Sequence, residues 1–377
     1  MNHLRSALLA ALILTGGPAQ ADGRQTITVT DLAGREVTVQ APISSMILGE
    51  GRHLPAIAVL DSDDPVARIA GMGGDLKSLD PSTYQQFQAR FPAIEEVPII
   101  GQGAAATFSV EKAIASGPDV AIFGLAGGHG PTAREKPILD QLEKAGIPVL
   151  IVDFRADPLV NTPKSMALLG RIMGQETRAA EFLEFYNNQL ALVQNRLAGV
   201  TDRPRVFLES RVGLNEACCE TIGAAMLGRF VEWAGGTNMG STLVPGVSGL
   251  VSIETLLTNQ PAIYVATAIG SPLTAAEMPN RIVLGAGAGI EQARASLAHA
   301  MTRRGVAELD AVKAGQVFTL WHHFYNTPMN VAAVQAMAKW FHPALFADLD
   351  PEVTLRTFFE RFQPFPADGV YWAALKE

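Results

Sequence analysis

Cysteine is nearly absent: the 377 residues contain two, and they are neighbours, Cys218 and Cys219. Two adjacent thiols cannot frame a disulfide-stapled scaffold. A ring closed between neighbours is strained, so both are expected as small, partly buried side chains. A redox or soft-metal role would need a His or Lys beside them to lower a thiol pKa, and the local sequence supplies neither. Basic clusters are also missing. Lys and Arg number 29 against 37 Asp and Glu, a net charge of −8, whereas phosphate backbones need concentrated Lys and Arg, so no nucleic acid partner is expected. No uninterrupted apolar run reaches the roughly 20 residues that cross a bilayer. There is no Gly-x-Ser-x-Gly elbow, zinc-protease helix motif or Cys-x-x-Cys pair, which argues against an enzyme. The glycine-rich stretch 124–130 lacks the lysine of a phosphate loop and the dinucleotide fingerprint, so it is not read as a nucleotide site. The seven histidines, His3 among them, form no His-rich loop of the kind a bare-metal site would draw on.

What is present begins with a secretory signal over residues 1–21: His3 and Arg5, the apolar run Ala7 to Leu14, and the small-residue site Ala19-Gln20-Ala21. Its removal leaves 377 − 21 = 356 residues and, with Arg5 gone, a charge of −9. No cysteine lies near the cleavage site to receive a lipid, so a freely diffusing protein of the periplasm is expected. That length exceeds what one core usually organises, and two lobes follow.

Ile27 and Val29 alternate with polar residues, Asp31 to Gly34 supplies turn chemistry, and Val37 and Val39 alternate again: an N-terminal β-hairpin. Short apolar runs (Met46 to Leu48, Val97 to Ile100, Val120 to Phe123, Val149 to Val152) then alternate with helical segments such as His53 to Leu60 and Lys136 to Lys144, the pattern of a mostly parallel sheet covered on both faces. From Glu176 to Ala198 there is no Gly or Pro, and Ala179, Phe182, Leu183, Tyr186, Leu190, Val193 and Leu197 recur at helical spacing, predicting one long helix. Arg205 to Leu208, Ala262 to Ala266 and Val317 to Leu320 read as strands of a second α/β lobe, among helices that include Val331 to Phe341 and Val353 to Phe362. The organisation is therefore an N-terminal lobe over 22–174, a linking helix over 175–199 and a C-terminal lobe over 200–377.

An internal repeat relates the lobes. Ser109-Val110-Glu111 is followed by Ile114, Pro118, Val120 and Ile122; Ser252-Ile253-Glu254 is followed, at the same offset, by Leu257, Pro261, Ile263 and Val265. Each serine stands where an N-cap belongs, and each glutamate in the first turn, where the helix dipole favours negative charge. One carboxylate per lobe could also dock on a partner with its own two-fold symmetry.

With these pieces the chain resembles the iron-complex family of ABC-importer binding proteins, which includes ferric-siderophore, haem and cobalamin binders. The likeness is carried by Thr28 to Asp31 with Gly34 to Val39, by Phe108 to Ile122, Gly146 to Val149, Ala234 to Asn238 and Leu309 to Phe318, and by Asn326-Thr327-Pro328. It implies two Rossmann-like α/β lobes joined by a single long helix with the ligand in the cleft between them, as in class III periplasmic binding proteins. It also implies docking of Glu111 and Glu254 on arginines of the importer's permease subunits.

Ligands of such sheets sit beyond the carboxyl ends of the strands. The loops there offer Arg52 and His53 in the first lobe, then Arg211, and the run Trp321-His322-His323-Phe324-Tyr325 in the second. Imidazole can ligate iron, phenolate suits ferric ion, and aromatic faces can lie against a macrocycle or catecholate. If that run is extended, His322 and His323 point opposite ways and cannot share a ligand. Arg52 and Arg211 could clamp an anionic chelate from both sides, with Arg155 a third candidate and His129 a loop residue among glycines. A ferric siderophore or similar chelate is the expected ligand, bringing its own metal; the alternatives are haem, cobalamin or a bare Zn, Mn or Fe ion. No resident cofactor is expected, and a monomer suits a protein that presents both lobes to one transporter.

Overall fold

The computed structural model describes residues 23–215 and 218–376, so the expected signal segment 1–21 lies outside the described residues. The hairpin forms as read: Gln25–Thr30 pairs antiparallel with Glu36–Ala41, and Asp31 closes the turn by accepting from the backbone N–H groups of Ala33 and Arg35.

The first sheet is entirely parallel, in the order Ile99–Gly101, Ile69–Gly73, Met46–Leu48, Val120–Gly124, Val149–Val152. Its strands are apolar on both sides because both sides are covered. Met46, Leu48, Val120, Ile122, Leu150 and Val152 face the main core, while Ile47, Ala121, Phe123, Val149 and Ile151 face a second cluster under helix Lys136–Lys144. Sequence reading missed the strand Ile69–Gly73, whose glycines hide the apolar pattern. Gly73 is needed for close approach, since a Cβ there would lie 2.7 Å from the Gly49 carbonyl oxygen.

The second sheet runs Ser248–Leu250, Glu220–Ile222, Arg205–Glu209, Ile263–Ala268, Val317–Trp321, Trp372–Ala374, with Thr237–Asn238 beside Arg205–Glu209. Its centre is parallel and its edges are antiparallel. Between the sheets in sequence lies helix Glu176–Leu197. Phe182 is wholly buried and meets Tyr186, Phe358 and Phe362. Tyr186 donates to Asn330 Oδ1 at 2.8 Å, tying this helix to Asn330–Phe341 of the second half. The main core is thus continuous through the linking helix. Among the described residues no helix is long and apolar enough to cross a membrane.

One expectation is overturned. Cys218 and Cys219 are not separate thiols but are joined as a disulfide between neighbours. Paired backbone hydrogen bonds between Cys219 and Val251, 2.9 Å each, hold the segment that carries the pair.

Candidate ligand-binding cleft

The strand Met46–Leu48 ends in Gly49-Glu50 and turns at once into a 3-10 turn, Gly51–His53. The turn is fixed by Asp75, fully buried at the start of helix Asp75–Leu79, which accepts from Gly51 N at 2.6 Å and Arg52 N at 3.3 Å. Asp75 also takes Arg52 Nε at 3.1 Å, and Glu50 takes Arg52 Nη2 at 3.4 Å, so the buried guanidinium enters the cleft already flanked by two carboxylates. Gly128 is required beside this group: its φ is +102° and a Cβ there would clash with Glu50 Oε1. In the same lobe Asp153 accepts from Arg155 N at 2.9 Å, Ala156 N at 2.8 Å and Asn161 Nδ2 at 2.8 Å, a turn that projects the Arg155 side chain.

From the second lobe Arg211 follows strand Arg205–Glu209 with φ 53°, its N–H donating to Thr267 Oγ1 at 2.7 Å and its Nη2 to Glu220 Oε1 at 2.5 Å. The Trp321 to Tyr325 run is not extended. After strand Val317–Trp321 the chain winds into a 3-10 turn, His322–Asn326, so the two imidazoles lie on one wall with ring centroids 5.8 Å apart. The expectation that they must diverge was conditional on an extended backbone, and the tight turn removes that condition.

The Tyr325 hydroxyl is where the lobes meet: it accepts from Arg52 Nη1 and from Arg155 Nη1, each at 3.0 Å. Arg155 also lies over the Tyr325 ring, 4.9 Å from its centroid, a favourable cation–π placement. Arg52 Nη1 further donates to His323 Nδ1 at 3.0 Å, and Arg229 crosses to Asp157 at 3.1 Å. Above these contacts is a cavity of about 190 Å³ whose wall includes Arg52, Arg155, Arg211, His322, His323 and Tyr325. His53 and Trp321 are not part of that wall. His53 is buried against Phe154, and Trp321 packs edge-on against Phe324 and Tyr371. His129, Glu220 and Arg281 do line it. Arg281 escaped sequence reading because it follows no strand of its own, and Asp75 because the glycine-rich strand before it was missed.

Burial first, and then neighbouring positive charge, holds His322 and His323 well below the ordinary imidazole value. Burial likewise lowers His53 and His129. Burial alone would raise Glu50, but His53, Arg52 and Arg155 outweigh it and keep the carboxylate below its usual range. Among the described residues the one grouping of three metal-ligating side chains is Glu209 with Cys218 and Cys219, and none of these lines the cleft cavity.

Two α/β sheets, a long linking helix and a polar cavity at the carboxyl ends of strands from both halves define the architecture of a two-lobed binding protein. The profile of the periplasmic binding protein family matches residues 73–322, and the chain belongs to that family. No curated protein matches this sequence. Among solved structures, the TroA-like periplasmic binding protein FepB of Veillonella parvula shares 26% identity over 93% of this chain and 100% of its own, with a TM-score of 0.82. The molybdate-binding protein MolA of Haemophilus influenzae shares 17% identity over 91% and 99% of the two chains, at a TM-score of 0.68. CeuE of Helicobacter pylori, solved as a Ni-His complex, shares 18% over 90% and 96%, at 0.65. The similar proteins are extracytoplasmic binding proteins, which agrees with the two-lobed architecture read from the sequence.

Proposed function

We propose that this chain works as a monomer in the periplasm, where it captures a metal chelate, a ferric siderophore first among candidates, and hands it to the permease of an ABC importer. The observation that carries the reading is the cavity wall, which gathers Arg52 and Arg155 from one lobe and Arg211, His322, His323 and Tyr325 from the other. Binding rather than catalysis suits it, because His323 Nδ1 is engaged by Arg52 and His322 Nδ1 by the hydroxyl of Thr267, which is itself fully buried. The cavity is smaller than the roughly 300–1,000 Å³ of drug-sized ligand sites, so a large chelate enters as the lobes part at the Tyr325 contacts. The structural relatives are described as binding molybdate or Ni-His, and this chain's ligand is proposed from its own wall. Tryptophan quenching with ferric catecholates, ferric hydroxamates, haem and cobalamin tests the reading. Saturable binding of one chelate supports it, whereas binding of free Fe³⁺ or Zn²⁺ alone would replace it with direct ion capture.

Delivery is assigned to Glu111 and Glu254. Both are exposed in the first turn of short helices, Val110–Ala115 and Ile253–Thr258. Their serines already cap those helices, Ser109 Oγ accepting from Lys112 N and Ser252 Oγ from Thr255 N at 3.2 Å each. The carboxylates therefore remain available to a partner's arginines. Reversing both charges, Glu111→Arg with Glu254→Arg, should abolish uptake by whole cells while ligand affinity of the purified protein stays unchanged. Unimpaired uptake would remove the docking role.

A further inference from the structure

The disulfide between Cys218 and Cys219 has a carboxylate beside it. Strand Arg205–Glu209 ends in Glu209, which is buried, and one of its carboxylate oxygens and both sulfurs lie within 4.8 Å of one another. None of the three lines the cleft cavity, and ligand capture gives them no task.

The cysteine positions do not depend on the sulfur–sulfur bond. Cys219 exchanges both backbone hydrogen bonds with Val251, 2.9 Å each, and the next carbonyl, that of Glu220, accepts from Ser210 N at 2.7 Å. Opening the bond therefore leaves two thiols side by side, still next to Glu209. Cys219 is fully buried and Cys218 only half-buried, so one sulfur can be reached from solvent.

Glu209 has room for another partner. It accepts from Arg303 Nη1 at 2.8 Å, from Arg303 Nη2 at 2.5 Å and from the buried Tyr264 hydroxyl. A carboxylate offers about four acceptor positions, so one is left. Charge selects what can use it. Arg303 balances Glu209, and burial pushes the Tyr264 phenol well above its ordinary value and keeps it neutral, so with two thiols the group carries no net charge. An ion that displaces both thiol protons preserves that balance only if it is divalent, and a net charge left buried is costly. The sequence places no His or Lys beside the pair to lower a thiol pKa, but a coordinated ion removes the need, because a metal-bound thiol is deprotonated outright.

We infer that Cys218, Cys219 and Glu209 form a second site, opened by reduction, for one thiophilic divalent ion of the zinc class. Two thiolates and a carboxylate suit such an ion and disfavour Mg²⁺ or Ca²⁺, which take oxygen ligands. Three protein ligands leave the fourth tetrahedral position to water, as in sites that exchange what they hold. The reductant is a dithiol. One of its thiolates attacks Cys218 Sγ and the bond to Cys219 Sγ breaks; the donor's second thiol then closes the donor's own disulfide and releases Cys218. Two electrons and two protons pass to the pair, and the ion afterwards displaces both protons to water. The site is independent of what the cleft holds.

The test uses the purified full chain, either oxidised or reduced with a phosphine that is then removed without air. Cd²⁺ is the probe, titrated into both and followed by the ultraviolet sulfur-to-cadmium charge-transfer band. The reduced chain should gain the band, saturate at one ion per chain, and give it up to excess Zn²⁺ but not to Mg²⁺; the oxidised chain should gain none. Cys218→Ser, at the half-buried position, should abolish the band while the unfolding midpoint shows the chain still folded. Glu209→Gln should weaken Cd²⁺ binding at least about tenfold, since even the loss of an outer-shell partner costs that much. A reduced chain with two titratable thiols but no band, a band of equal strength in the oxidised chain, or one that survives Cys218→Ser would overturn the inference. So would a pair that excess reductant cannot open. None of these outcomes touches the chelate reading.

Discussion

At the scale of single residues, Tyr325 concentrates the most interactions at the lobe boundary. Its hydroxyl is the shared acceptor for Arg52 and Arg155, and removing it leaves two guanidinium donors without that partner. Buried donors left unpaired cost about 1–3 kcal/mol. Tyr325→Phe should therefore lower the urea-denaturation free energy by that amount and also weaken ligand binding; an unchanged denaturation midpoint would mean that water replaces the hydroxyl. The residue scale is also where sequence reading was least complete. Tyr325, His322, His323, Arg52 and Arg211 were named because their residue types and strand-end positions were visible. Trp321 and His53 were named by the same rule, yet they turn into the protein, Trp321 at the end of its strand packing against Phe324 and Tyr371, and His53 against Phe154.

At the scale of elements, the linking helix Glu176–Leu197 was legible to within a residue from its apolar spacing and from the glycines on either side. What spacing could not supply is its partners. Phe182 packs against Phe358 and Phe362 of helix Pro351–Phe362, near the end of the chain. Phe182→Ala removes a wholly buried ring shared by these helices and should destabilise the protein by about 3–5 kcal/mol in equilibrium unfolding. A loss below 1 kcal/mol would show that the helix layer repacks around the gap.

At the scale of the whole molecule, four histidines gathered near the cleft make stability depend on pH. His53, His129, His322 and His323 all titrate below the ordinary value of 6.5, burial being the first cause in each. The unfolded chain then binds more protons than the folded one as pH falls through 6.5. Stability is present above that pH and drains as it drops toward the folded-state values. Asp80 works against this. Burial raises its carboxyl from 3.8 to about 6, so the folded protein gains a proton first and recovers part of the loss in that window. Thermal melts from pH 7 to pH 5 should show a falling midpoint, and Asp80→Asn should steepen the fall. A midpoint that rises on acidification would contradict the burial of these imidazoles. The lobes are pinned at Tyr325 and at Arg229–Asp157 and share one long helix, which restrains hinge rotation. Small-angle scattering should accordingly find only a slight change in radius of gyration on ligand binding; a sharp fall would reject the restraint.

Local pattern alone determined the alternation of strand and helix, the long connector, the capped repeat carrying Glu111 and Glu254, and the loops from which a cleft could be built. Those features depend on periodicity and on turn chemistry a few residues long, which a sequence displays directly. Tertiary structure decided the rest: that Asp75, Glu50 and Glu220 neutralise two of the arginines, that Arg281 joins the wall, that a 3-10 turn brings His322 and His323 to one side, and that Cys218 and Cys219 close on each other. Charge balance and hydrogen-bond polarity in a cleft depend on which groups lie within about 3 Å, and residues more than two hundred positions apart, such as Arg52 and Tyr325, reach that distance only when both lobes have folded.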